Sequence, residues 1–195
     1  MDYLKAIEQR VSTRSYLETV IEKEKISLLI NEIEEGNQKY GLSISFLEDG
    51  SSAFNSFGKS YGMFKGVRSL IVMKGPKNDI HLKDKLGYVG EKVILRATSL
   101  GLATCWVGGS FERENPIFSV SEGEEFVCVI TVGIAADKKS LIGSLVNKIK
   151  RTKDIEAFYT ADSVVPDWFV TGITAVKKPP SAKNSQKVHF KYNDG

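Results

Sequence analysis

The run EEFVCVITVGIA, residues 124–135, constrains the fold more than any other stretch of this chain. Past its two glutamates it is almost continuously apolar, and valine and isoleucine make up half of what remains. A strand with no polar face cannot lie with one side in water. The run therefore predicts a central strand covered on both faces. The rest of the chain has to supply the covers and the neighbouring strands.

The spacing supplies both. Ile26, Leu29, Ile30 and Ile33 fall at i, i+3, i+4 and i+7, one apolar helix face, and Gly36 reads as its end. Leu42, Ile44 and Phe46 alternate as in a half-buried strand. Residues 67–76 read as a buried strand. Residues 80–100 read as a long helix with Val89, Val93 and Leu100 inside and Gly101 after it. LATCWVGGSF reads as a short strand breaking into a glycine turn. Near the start, residues 2–9 predict a short helix with Asp2 as N-cap and Leu4 and Ile7 inward. Late in the chain, a helix with Ser163 near its cap, Pro166 in its first turn and Phe169, Ile173 and Val176 inside precedes the alternating strand KVHFKYNDG. Residues 137–160 between these parts are a basic, weakly periodic connector. Helices and strands mix without strict βαβ alternation. The expected class is α+β, a mixed, mostly antiparallel sheet flanked by helices.

Composition narrows the function. The 195 residues carry a formal net charge of +3, too little to imply a nucleic-acid partner. The two cysteines, Cys105 and Cys128, lack metal-ligand spacing and suit a reducing cytoplasm. The start MDYLKAIEQR has no signal-peptide pattern, and no apolar run is long enough to span a bilayer. The expected setting is cytoplasmic. The two histidines, His81 and His189, lie far apart, and no nucleophile elbow or phosphate-binding Gly-Lys-Thr loop is present. If the protein is an enzyme, a cofactor has to carry the chemistry.

Four stretches are candidates for binding. In QRVSTRSY, residues 9–16, β-branched Val11 and Thr13 favour extended backbone, so Arg10, Ser12 and Arg14 share a face. Two guanidinium forks and a hydroxyl suit a phosphate. The same comb is also what a surface stretch pairing with Glu8 or Glu18 looks like. GLATCWVGG, residues 101–109, ends in a Gly-Gly turn whose N–H groups can face a ligand. It also reads as an ordinary connection with Trp106 in the core. KKPPSAKNSQ, residues 177–186, offers Ser181, Asn184 and Gln186 on a proline-stiffened turn, or is a plain capping turn. The basic run with Lys148, Lys150, Arg151 and Lys153 is either a solvated face or a further phosphate contact.

Together these stretches resemble the FMN-dependent nitroreductase family, over most of the chain. Arg10, Ser12 and Arg14 match an Arg-x-Ser-x-Arg-like stretch that holds the FMN phosphate in that family. Residues 100–109 match its Leu-Gly-Leu-x-Thr-Cys-like strand and glycine turn. Pro180, Ser181, Asn184 and Gln186 match a Pro-Ser-x-x-Asn-x-Gln segment that contacts the flavin. In common members that segment follows soon after the first arginines, whereas here it lies near the C-terminus. This order resembles a smaller subgroup of the family. Gly108 stands where an acidic residue is frequent, and Lys187 and Val188 stand where proline and an aromatic are common.

The resemblance implies a nitroreductase-like fold, FMN as cofactor and NADH or NADPH as reductant. It implies hydride transfer to flavin N5, followed by reduction of a nitroaromatic, quinone or similar small acceptor at the same site, by a ping-pong route. No side-chain acid or base is expected. Backbone N–H groups near Gly108 and Gly109 would face N5 and O4, with Trp106 and Val107 shaping the ring pocket and Lys150, Arg151 or Lys153 assisting at the phosphate. In the family the flavin lies between two subunits. Here residues 1–136 and 161–195 read as half-copies within a single 195-residue domain, which implies a monomeric pseudo-dimer or a homodimer. Two rival readings stay open: a flavin carrier or sensor without reductase turnover, and a module that binds phosphorylated ligands.

Overall fold

In the computed structural model, residues 2–55, 63–136 and 153–194 are described. They form two compact units, Met1–Ser144 and Leu145–Gly195. In the first, helices α1 (Tyr3–Gln9) and α2 (Lys23–Tyr40) precede strands β1 (Ser45–Leu47) and β2 (Ser69–Pro76). Helix α3 (Leu82–Ser99) and strands β3 (Ala103–Val107) and β4 (Glu124–Gly133) follow. The sheet order is β1-β2-β4-β3, with every pair antiparallel. This is the expected α+β class, and the apolar run is the expected central strand.

Both faces of β4 are covered. On one, Ile71, Met73 and Ile130 pack under Ile26, Leu29 and Ile33 of α2 and Leu86, Val89, Val93 and Ile94 of α3. On the other, Leu70, Val72, Val129 and Val107 pack with Tyr16, Phe111, Phe118 and Phe126. Each such side chain contributes about 1.5–3 kcal/mol when fully buried. A bulge serves the second face. Met73 pairs with Cys128 and Lys74 with Phe126, so Val127 is skipped. That shift brings Phe126 round to Phe118, with ring centroids 4.7 Å apart. Arg113 donates to the carbonyls of Phe126 and Val127 at the bulge and lies 4.7 Å over the Phe126 ring.

Two sequence expectations change here. Gly36 does not end α2, which runs on to Tyr40 and closes on Gly41 in the left-handed region. A Cβ on Gly36 would stand 2.4 Å from Cγ1 of Val89, so this glycine lets α2 lie close on α3. Leu4 does not face inward; it is 75% exposed, and Ala6 is the buried residue of α1. Position 4 lies about 200° round the helix from position 6, and the small alanine lets α1 approach α3. The Asp2 cap is present, accepting the Lys5 N–H at 3.1 Å.

The second unit holds β5 (Tyr159–Ala161), α4 (Asp167–Val176) and β6 (Phe190–Tyr192). Pro166 is the N-cap of α4, one position outside the expected first turn. Ile173 is buried, and Tyr159, Trp168, Phe169 and Tyr192 form a ring cluster. β5 pairs parallel with β6 and begins at the end of the stretch read as connector. The two segments read as half-copies differ in detail. α2 has 18 residues and α4 has 10, and β1 pairs antiparallel where β6 pairs parallel.

Candidate functional site

Helix α1 stops at Arg10, whose N–H still bonds the carbonyl of Ala6 while its ψ has turned to 126°. From there β-branched Val11 and Thr13 run extended. The Thr13 N–H donates to the carbonyl of Thr104 at 2.9 Å, and Ser12 pairs with Thr104 in a parallel bridge. The comb therefore lies alongside β3. Further on, Tyr16 N–H donates to Lys65 O, Lys65 N–H to Arg14 O and Leu17 N–H to Ile134 O, each at 2.9 Å. Thr13 and Tyr16 point inward and are buried.

All three comb residues, Arg14, Ser12 and Arg10, act electrostatically on the buried Cys105 thiol. Burial pushes the Cys105 thiol up, and these three neighbours offset part of that rise. Nε of Arg10 lies 3.6 Å from Oε1 of Glu91 on α3, a partner that the sequence reading did not name. The Arg10 side chain is 10% exposed; burial lowers its pKa and Glu91 opposes that. Arg14 is exposed and has no carboxylate partner among the described residues; its guanidinium lies 6.0 Å from the Phe64 ring centre.

The glycine turn follows directly from β3. Gly108 and Gly109 are exposed, neither has a positive φ, and a Cβ on either would meet nothing within 4 Å. Neither backbone conformation nor packing among the described residues calls for glycine there. The side chains just before them are committed elsewhere. The Trp106 indole lies over Gly90 of α3, and its Nε1–H donates to Oε2 of Glu91 at 3.0 Å. Val107 is 3% exposed, within the phenylalanine cluster. What these two residues can offer a ligand is backbone. Glu91, absent from the sequence reading, links Arg10 to Trp106; a single glutamate on a helix carries no signal in the sequence.

In the second unit, the turn at 180–186 is built round Gln186. Its side chain accepts the Lys153 N–H at 3.1 Å, its carbonyl accepts Lys153 Nζ at 3.0 Å, and its own N–H donates to Ser181 Oγ at 3.0 Å. Asn184 and Gln186 hold φ of 55° and 44°. Such left-handed residues cost about 1–2 kcal/mol each, which this bonding offsets. Pro180 and Ser181 are half-buried and Asn184 is exposed. Lys153 is thus occupied within its own unit. Lys148, Lys150 and Arg151 lie outside the described residues.

Among the described residues no three of His, Cys, Asp and Glu group as metal ligands, and no helix is long and apolar enough to cross a membrane. The donor set of the comb, two guanidinium groups and a hydroxyl, is of the kind that could hold the phosphate of an FMN. Among the described residues Arg14 has no carboxylate beside it, and the open space at the glycine pair leaves room for a close-lying group.

Solved structures of other proteins share the fold. The chain resembles a nitroreductase with bound FMN from Desulfitobacterium hafniense, at 17% identity over 71% of this chain and 91% of that one, with a TM-score of 0.58. It resembles a nitroreductase with bound FMN from Bacteroides fragilis at 16% identity, covering 71% and 90%, with a TM-score of 0.56. A protein from Clostridium acetobutylicum described as "Putative NADH Oxidase" matches at 24% identity, covering 69% and 90%, with a TM-score of 0.56. These likenesses establish the fold. No curated protein matches the chain. The family model described as "Putative TM nitroreductase" matches residues 2–195, nearly the whole sequence, and the chain belongs to that nitroreductase family.

Proposed function

We propose that the protein is an FMN-dependent NAD(P)H oxidoreductase. The observation that carries this reading is the parallel pairing of Ser12 and Thr13, in the middle of the arginine comb, with Thr104 of β3, the strand that leads into Gly108 and Gly109. Bound FMN would supply a centre that accepts and returns a hydride. The chain's own work is to hold and orient it. Arg14 and Arg10 neutralise the phosphate, Ser12 adds a hydroxyl donor, and the glycine turn presents backbone N–H groups to the ring edge.

No side chain is assigned a catalytic role. Burial pushes the Cys105 thiol up and the Cys128 thiol up to about 11. Both stay protonated near neutrality and are poor nucleophiles. We further propose that Pro180, Ser181, Asn184 and Gln186 serve the flavin, from the same chain or from a second copy. Lys150 and Arg151 are kept as candidate phosphate contacts. The reductant is NADH or NADPH, and the acceptor is a small nitroaromatic or quinone-like molecule.

The deciding experiment is the absorption spectrum of the purified protein, before and after anaerobic NADH or NADPH. A yellow protein bleached by either nucleotide supports the oxidoreductase. A yellow protein that neither bleaches would instead be a flavin carrier or sensor. A colourless protein that takes up no FMN would leave a module for other phosphorylated ligands.

A further inference from the structure

We infer that Glu91 is a positioning residue for the flavin phosphate, acting through Arg10; this rests on the FMN reading above. Three contacts and one burial carry it. Gly90 leaves the space into which the Trp106 indole fits, since a Cβ there would stand 2.3 Å from Cη2. The seated indole donates to Oε2 of Glu91 at 3.0 Å and so fixes the carboxylate. The other oxygen, Oε1, lies 3.6 Å from Nε of Arg10. Arg10 itself is 10% exposed, too enclosed to swing freely through water.

The approach to Glu91 is at Nε, an ion pair longer than a hydrogen bond, which leaves the two terminal nitrogens of Arg10 to face a ligand. Those nitrogens form the planar fork that suits a phosphate. One carboxylate thus ties the phosphate-binding arm to the strand that carries the glycine turn, two residues past Trp106. It also supplies the counter-charge that an enclosed guanidinium needs before any phosphate arrives. Its negative charge does repel a phosphate. That repulsion is softened by solvent, as the Glu91 side chain is 27% exposed, whereas a misaimed Arg10 loses its fork outright.

The test is equilibrium titration with FMN and with riboflavin, which shares the ring but lacks the phosphate. It uses the wild-type protein and the Glu91→Ala, Glu91→Gln, Arg10→Ala and Glu91→Ala/Arg10→Ala variants. Glu91→Ala should weaken FMN roughly three- to tenfold and leave riboflavin within about twofold. Glu91→Gln, nearly isosteric and so protected against misfolding, should lose less. The double variant should bind FMN no more weakly than Arg10→Ala alone. Unchanged or tighter FMN binding in Glu91→Ala, equal losses for both flavins, or additive losses in the double variant would each overturn the inference. A wild type that prefers FMN while Glu91 variants keep that preference sinks this inference alone. A wild type that binds no FMN sinks the proposed function as well.

Discussion

The hydroxyls of Tyr16 and Thr131 meet at 2.7 Å in the buried interior, and the same phenol donates to the carbonyl of Thr13 at 2.5 Å. Thr131 belongs to the central strand, and Thr13 sits inside the arginine comb. One buried phenol therefore pins the comb to the middle of the sheet. Thr131 Oγ1 also reaches the carbonyl of Cys105 at 3.3 Å, which draws β3 into the same network. Tyr16→Phe keeps the ring and removes the pin, leaving the Thr13 carbonyl without its phenol donor. It should cost about 1–3 kcal/mol of stability. Urea denaturation of the two proteins checks this, and a midpoint unchanged by the substitution would refute it.

Two glycines on facing helices should respond in opposite senses. Gly36→Ala places a methyl 2.4 Å from Cγ1 of Val89, so α2 and α3 must part or the valine must leave its position. Overpacking of this kind costs about 1–3 kcal/mol. Gly87, inside α3, has open space around its missing Cβ and no positive φ. Gly87→Ala should therefore stabilise the helix by about 0.5–1 kcal/mol. Thermal melts of both variants read the two signs directly. A melting point that falls for Gly87→Ala would show that something approaches that helix face.

Acid should weaken the end of the sheet where Glu124 meets Lys74. Burial alone would raise the Glu124 carboxyl. Hydrogen bonds from Lys74 Nζ at 2.8 Å, from the Ser121 N–H at 3.0 Å and from Ser43 outweigh it and bring the group down to about 2. An unfolded glutamate takes up its proton near 4.5. Between those values the unfolded chain binds more protons, so stability is present above about pH 4.5 and is lost as pH falls towards 2. Glu124→Gln should flatten that part of a stability-against-pH curve. Parallel curves for the two proteins would assign the acid loss to other groups.

The parts of this fold that were legible in the sequence are those whose cause is local. The run at 124–135 announces a doubly covered strand because, past its two glutamates, nearly every residue is apolar. Val11 and Thr13 announce extended backbone, and Gly101 with φ of 75° ends α3 as its residue type suggests. What stayed hidden depends on distant partners. Gly36 looks like a helix stop until Val89 is seen against it. Leu4 reads as inward because nothing local shows that Ala6 faces α3 instead. Glu91 is one glutamate among many until Arg10 and Trp106 arrive from either side of it. β5, three residues long, is too short for its alternation to register and exists because Tyr159 pairs with Phe190.

The two arginines of the comb should not contribute alike to FMN binding. Arg14 is exposed, with no carboxylate beside it among the described residues, so its charge is available without rearrangement. Arg10 is enclosed and already faces Glu91 at 3.6 Å, so part of its attraction is spent before a phosphate arrives. Arg14→Ala removes a free charge and little packing. It should weaken FMN about tenfold or more while leaving stability within about 0.5 kcal/mol of wild type. Arg10→Ala should also weaken FMN, and in addition it strips the counter-charge from Glu91 and opens space beside α3, so it should lower stability as well. Raising the salt concentration should weaken FMN in the wild type and in Arg10→Ala, but much less in Arg14→Ala, because the exposed charge is the one that screening reaches. Titrations at two ionic strengths with melts on the same samples separate these effects. Equal salt dependence in both variants would mean that the phosphate does not sit at Arg14.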